Sequence, residues 1–294
     1  SLVMTRLSSY FSKAGAFAEQ LGLSYYYFLS DLVRDFDANS DEIVRRLAEV
    51  AKIIFAKSNL FIETIGESGE VSAVKDHLYE IADDLPDGNV YQKHTFDFAE
   101  GNKNEAFLTS GKVQYVGEGG DFRKYGFNYT GALRVMETIL RYEYLWKKVR
   151  VQGGAYGAFT QFLSDGTAIL CSYRDPNLKQ TLETYKNLPE YIRTLELSDR
   201  EMTKYVIGTM AADEIQLTPS MKGERAMLHY LNGNSVENRR KVNDEIVNCT
   251  VEDIRKLAPL LQSVIDHSSI CVMGNEEKIH QDADVFDKIL SLPD

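Results

Sequence analysis

"AYGAFTQFLSDGTAILCSYRDP", residues 155–176, sets two β-prone runs on either side of Ser164-Asp165-Gly166. Asp-Gly between apolar segments is a strong short-range hairpin signal, because both residues tolerate the backbone a tight turn demands. With Asp165-Gly166 as a two-residue loop, Ser164 faces Thr167, Tyr156 stands level with Asp175, and Gly157 with Arg174. "GGAYG" (153–157) and "SYRDP" (172–176) then meet at the open end of one hairpin, with Arg150 just behind. Arg150, Tyr156, Tyr173, Arg174 and Asp175 gather around a glycine-lined backbone edge. Two readings fit this cluster. One is a sheet end where Gly153 and Gly154 relieve crowding and Arg174 and Asp175 form a surface pair. The other is an exposed strand edge that takes an extended peptide, whose carbonyls a cation and a phenol would contact.

Outward from the hairpin, "EAFLTSGKVQYVGEGG" (105–120) is β-prone around Val113 to Val116. "GALRVMETILRYEYLWKKVR" (131–150) has the spacing of an amphipathic helix with Val135, Ile139, Tyr142 and Trp146 on its apolar face. Arg134, Glu137, Arg141 and Lys148 trace its solvated side. Downstream, "SDREMTKYVIG" (198–208) starts with a capping box, Ser198 and Glu201. Strands, helix, hairpin, helices and a late strand, in that order, predict an α+β fold, a sheet with helices packed on one face.

The chain also repeats itself. "VRRLAEVAKIIFAKSNLFI" (44–62) aligns without gaps on "IRKLAPLLQSVIDHSSICV" (254–272), an offset of 210 residues. Each copy reads as an amphipathic helix followed by a short β-prone run. Val44, Leu47, Val50 and Ile54 keep helical spacing in the first copy, and Ile254, Leu257, Leu260 and Val264 in the second. Ser40 and Thr250 are the expected N-caps. An offset of this size is about one domain's length, too long for a solenoid. The expectation is therefore a chain that begins inside one module and contains a complete sister module, with "DDLPDGNVYQKHTFDFAEGNKNE" (83–105) as polar connector.

The 294 residues carry 33 Lys and Arg against 44 Asp and Glu, a net charge of −11. That balance argues against nucleic acid as a partner and suits basic peptides. Cys171, Cys249 and Cys271 lack metal-ligand spacing, and Cys171 and Cys271, which sit in apolar runs, are expected as buried free thiols, which suits a reducing compartment. No apolar stretch reaches the ~18 residues of a membrane span, and the first residues lack signal-peptide features. His77 and Glu80 match H-x-x-E, but Ile81 stands where H-x-x-E-H needs its second histidine. The chain holds no G-x-S-x-G, no P-loop, and no expected metal site of its own.

"RVQGGAYGAF" (150–159) and "SYRDPNLKQTLETY" (172–185), with "QYVGEGG" (114–120) upstream, resemble the C-terminal half of the presequence-protease branch of the pitrilysin/insulinase zinc peptidases, whose members include falcilysin. "SSYFSKAGAFAEQLGLSYYYFLSDL" (8–32) resembles the end of that family's third module, so the likeness covers essentially the whole chain. The resemblance implies tandem insulinase-type modules, each a mainly antiparallel sheet with helices on one face. Residues 1–70 would be the C-terminal part of a truncated third module, 71–100 a connector, and 101–294 the complete fourth module. It also implies a clamshell enzyme that degrades oligopeptides, with zinc and H-x-x-E-H in an N-terminal half outside this chain. That half and peptide substrates would be the partners, and neither nucleic acid nor membrane. Arg150 and Tyr156 match the family's arginine and tyrosine that hold the scissile segment and stabilise the oxyanion. Gly153, Gly154, Ala155, Tyr173 and Arg174 would line the substrate. On this reading the chain is inactive alone, in the bacterial cytosol or an organellar matrix. The alternatives are a catalytically dead member that acts as a scaffold or partner subunit, and a generic peptide-binding module.

Overall fold

A computed structural model describes residues 2–88 and 103–292, so the later part of the connector lies outside the described residues. They divide into two compact units: the described parts of Ser1–Tyr26, Phe98–Glu214 and Arg240–Asp294, and those of Tyr27–Asp97 and Ile215–Arg239.

The first unit is built on six strands: β1 (Asn104–Thr109), β2 (Gln114–Asp121), β3 (Gly157–Phe162), β4 (Thr167–Asp175), β5 (Ser269–Asn275) and β6 (Lys288–Ser291). They stand in the order β3-β4-β2-β5-β1-β6, which makes β3 an edge strand. Three of the pairings are antiparallel, while β1 joins both β5 and β6 in parallel. The expected α+β class is what forms.

The hairpin forms one residue out of the expected register. Leu163 N–H donates to Thr167 O at 2.8 Å, and Gly166 N–H donates to Leu163 O at 3.1 Å, closing a three-residue loop. Gly166 supplies the positive φ (105°) that such a loop requires. Gly157 therefore faces Tyr173 rather than Arg174.

The predicted helix over 131–150 changes winding halfway. Gly131–Ile139 is α-helical, and Leu140–Gln152 continues as a π-helix. Wider turns, with i→i+5 hydrogen bonds, shift the buried series to Leu140, Tyr144, Leu145 and Val149. Val135 and Ile139 are in the core as expected, but Tyr142 and Trp146 turn outward, 54% and 45% exposed.

Both faces of the sheet are covered. On one, Val116, Phe162 and Leu170 pack with Leu133, Met136, Ile139, Leu145, Tyr185 and Leu261. On the other, Phe107, Ile169, Cys171 and Cys271 pack against Val3 and Leu7 of the Leu2–Ser8 helix and Tyr10 just after it. Gly117 pairs with both Cys171 and Cys271, and a Cβ there would stand 2.8 Å from Val3. The three cysteines are free and buried, with burial pushing each thiol up to about 12. A polar knot fastens the N-terminal helix to this face. Tyr10 O–H donates to Glu105 Oε2 at 2.6 Å, Arg6 Nε donates to the same oxygen at 2.9 Å, and Arg6 also pairs with Glu19 at 3.3 Å.

The two repeat copies fold differently. Val251–Arg255 and Ala258–Asp266 are separate helices because Pro259 starts a new one, and β5 follows. Ile254, Leu260 and Val264 are fully buried. The first copy, in the second unit, is one continuous helix, Phe36–Ile54, whose Val44, Leu47, Val50 and Ile54 are exposed. Its start lies at Phe36, which places Ser40 inside the helix rather than at its N-cap. Thr250 and Ser198 do cap their helices, each closing a capping box. Ser68–Asp83 adds a helix in this unit.

Removing Glu105 leaves the buried Tyr10 phenol without its acceptor and the half-buried Arg6 with Glu19 as its remaining partner, so Glu105→Ala is expected to cost roughly 1–3 kcal/mol in chemical denaturation. A second buried carboxyl gives a pH signature. Ser268 Oγ lies 2.6 Å from Glu118 Oε1 and 3.1 Å from Ile265 O, and one hydroxyl proton cannot serve both acceptors. Burial pushes the Glu118 pKa up to about 7, against the opposing pull of Ser268 and Lys186. Unfolded, the group ionises in the ordinary carboxylate range, so stability falls as pH rises from there to about 7. Glu118→Gln is expected to unfold like wild type near pH 4.5 and to exceed it by up to about 3 kcal/mol at pH 8.

Candidate functional site

The open end of the β3–β4 hairpin is where the π-helix delivers the chain. Gly153 N–H donates to Lys148 O at 3.0 Å and Ala155 N–H to Val149 O at 3.1 Å, so the helix winds almost to the edge strand. A Cβ on Gly153 would stand 2.5 Å from Val149 O, and Gly154 takes φ 82°. Gly157 lies against the Tyr173 ring, where a Cβ would come within 3.1 Å. Each glycine therefore has a backbone reason for its place. Ala155 is buried in the core.

Across from this turn, Arg174 occupies the left-handed region at φ 49°, the one described non-glycine residue with positive φ. Its carbonyl accepts from Tyr156 N–H at 3.2 Å. The next residue, Asp175, is fully buried. It accepts from Asn177 N–H at 2.9 Å through one oxygen and from Thr181 O–H at 2.7 Å through the other. Arg174 and Asp175 accordingly form no surface pair. The expected pairing fails because the left-handed turn sends the two side chains apart, one to solvent and one to the interior. Asn177 Nδ2 closes the arrangement by donating to Gly153 O at 2.6 Å.

Above this backbone frame stands a column of rings and guanidinium groups. The Arg150 guanidinium lies 3.9 Å from the Trp146 ring centroid and 5.9 Å from that of Tyr156. Arg174 approaches the same Tyr156 ring at 5.8 Å. Tyr156, 59% exposed, meets Tyr173 edge-on at 5.1 Å, and Tyr173 meets Tyr115 at 6.2 Å. The structure thus brings together Arg150, Tyr156, Tyr173 and Arg174, and places Asp175 beneath them. Trp146 and Tyr115 join the cluster unforeseen. Trp146 stands four residues before Arg150, a helical neighbour position, but α-helical spacing assigned it to the core.

This assembly offers hydrogen-bond donors and positive charge on an exposed edge, with aromatic surface around them. Beyond the site, His77 and Glu80 lie on the exposed Ser68–Asp83 helix, 3.1 Å apart. Among the described residues no three His, Cys, Asp or Glu side chains come together to hold a metal ion. No helix among them is long and apolar enough to cross a membrane.

Residues 104–276, which contain the whole cluster, match the family model of the PreP C-terminal domain. The chain is 40% identical over 292 residues to Protein HypA of Clostridium perfringens, covering 99% of this chain and 30% of that protein. It is 29% identical over 280 residues to Presequence protease 1, chloroplastic/mitochondrial, of Arabidopsis thaliana, covering 95% of this chain and 26% of that protein. The chain thus spans less than a third of these curated relatives. A solved peptidase M16 inactive domain from Pseudomonas fluorescens shares the fold, with a TM-score of 0.50 at 13% identity over 69% of this chain and 50% of that one.

A left-handed arginine stores strain that glycine would not. Arg174→Gly is expected to raise stability by up to about 1 kcal/mol. The β-branched Arg174→Val is expected to lower it, both read from thermal or denaturant midpoints.

Proposed function

The chain belongs to the PreP C-terminal domain family, and from that premise we propose that it is the non-catalytic, substrate-binding C-terminal half of a zinc metalloendopeptidase that degrades oligopeptides and unfolded peptides. The observation that carries this reading is the convergence of Arg150 and Tyr156 beside the edge strand, both on a locked backbone and both with their polar heads available.

An extended peptide laid along the hairpin's open end would meet these donors first. The guanidinium and the phenol O–H would bind the carbonyl of the segment being cut. Both would strengthen as negative charge develops on that oxygen. Tyr173 and Arg174 would flank the peptide, and the backbone of Gly153 to Ala155 would border it. The described residues do not fit a zinc site, since His77 and Glu80 are a lone pair on an exposed helix. Zinc and the nucleophilic water therefore belong, on this reading, to the N-terminal half of the same polypeptide, the partner this chain requires. The parent protein would work in the bacterial cytosol, or in an organellar matrix in a eukaryote.

The sequence modules carry over into the proposal: residues 1–70 end one module, 71–100 connect, and 101–294 form the next. The exposed stripe of Val44, Leu47, Val50 and Ile54 supports it, because the equivalent stripe of the later copy is buried against a sheet. The first segment of the earlier module also packs on the sheet of the later one, through Val3, Leu7 and Tyr10.

In the full-length protein, Arg150→Ala and Tyr156→Phe are each expected to lower peptide turnover by about 10²–10³. The thermal unfolding of both variants should match wild type. Wild-type turnover in both would remove the assignment.

A further inference from the structure

The charge at the site runs against the charge of the chain. Carboxylates exceed cations by 11 overall, yet two guanidinium groups flank one exposed phenol at 5.9 and 5.8 Å. Among the described residues neither Arg150 nor Arg174 has a carboxylate at ion-pair distance, whereas Arg6, Arg45, Arg141, Arg193 and Arg255 each have at least one. The acid next in sequence, Asp175, is buried, and both its oxygens are engaged. Arg174 is held besides in a backbone conformation that glycine would adopt without strain. The turn alone does not call for arginine.

We propose that Arg174, beside the Arg150–Tyr156 pair, anchors a carboxylate-recognition subsite, which takes a negatively charged group of the bound peptide, either an acidic side chain or the C-terminal carboxylate. This rests on the peptide-binding reading above and adds its chemical preference. The Arg174 guanidinium matches a carboxylate through two parallel N–H donors, which leaves Arg150 and Tyr156 to the carbonyl of the segment being cut. Arg174 lies 5.8 Å from the Tyr156 ring centroid, a cation–π contact that restricts its guanidinium before the ligand arrives and lowers the entropy lost on binding. The expectation of basic peptides follows from net charge, but salt screens exposed charges beyond about 8 Å. At contact the local arginines decide.

The experiment uses the full-length metal-loaded protein and a peptide set of one length. The parent is neutral with an amidated C-terminus. One series replaces each Gln by Glu in turn, and one peptide carries the free C-terminal acid. The expected result is a kcat/KM at least roughly 10-fold above the parent for a Glu peptide or for the free acid, expressed in KM. Which of the two gains identifies the source of the carboxylate. The ratio should shrink as salt rises and collapse toward unity in Arg174→Gln, while Arg193→Gln keeps it. Equal kcat/KM across the set, or a ratio that survives Arg174→Gln, overturns the carboxylate subsite and leaves peptide cleavage standing. Cleavage of no peptide by the wild-type protein overturns the peptidase reading, and this inference with it.

Discussion

The π winding of Leu140–Gln152 is the constraint on which the site depends. Were the segment α-helical, Tyr142 and Trp146 would follow Val135 and Ile139 into the core. The wider turn instead buries Leu140, Tyr144, Leu145 and Val149 and turns Trp146 to solvent beside Arg150. The same winding determines the exit. The N–H of Ala155 bonds back to Val149 O, so the backbone passes too close to the helix for any side chain at Gly153. A left-handed Gly154 then reverses the chain onto the edge of the sheet. Trp146, Arg150 and Tyr156 are neighbours because of that geometry.

A second lock comes from the opposite strand. Asp175 is buried and bonded on both oxygens, which fixes the end of β4 and the start of the following helix. Asn177 ties this end to Gly153 O, and Arg174 O holds Tyr156 N–H. The site's two halves are thereby clamped to one another by backbone contacts that do not use the exposed heads of Arg150, Tyr156 or Arg174. Groups held this way need little reorganisation when a ligand arrives, which is the condition under which fixed donors act most strongly.

How much of this the sequence reveals follows from the range of the interactions involved. The hairpin, the capping box at Ser198, the N-cap at Thr250 and the α+β order are local signals, and they read directly. The meeting of "GGAYG" with "SYRDP" is legible for the same reason, since one turn joins them. The one-residue shift is not, because whether Ser164 counts as strand or loop depends on the sheet beyond it. The π winding leaves no trace in a 3.6-residue periodicity, so Trp146 reads as core. Burial of Asp175 depends on Thr181 and Asn177 bonding to it, and an Arg-Asp dipeptide alone suggests a surface pair. The two repeat copies look alike along the chain, yet Pro259 divides the second helix, and among the described residues the second stripe is buried in the core while the first is exposed.

The chemistry gathered at the hairpin is one-sided, and that decides what kind of site it can be. Arg150 and Arg174 donate and cannot accept, and the Tyr156 phenol offers one more O–H donor. Asp175, the neighbouring carboxylate, is buried with both oxygens occupied. Nothing in the cluster can take a proton from water and make it a nucleophile. Such a set can bind a carbonyl, follow it into a transition state, and hold an anion beside it. Hydrolysis needs the complementary part: a base and an activated water, aimed at the carbonyl from the other side. On the reading proposed, this donor set on a fully determined backbone is one face of a two-part active site, and that would explain why donors alone are locked in place.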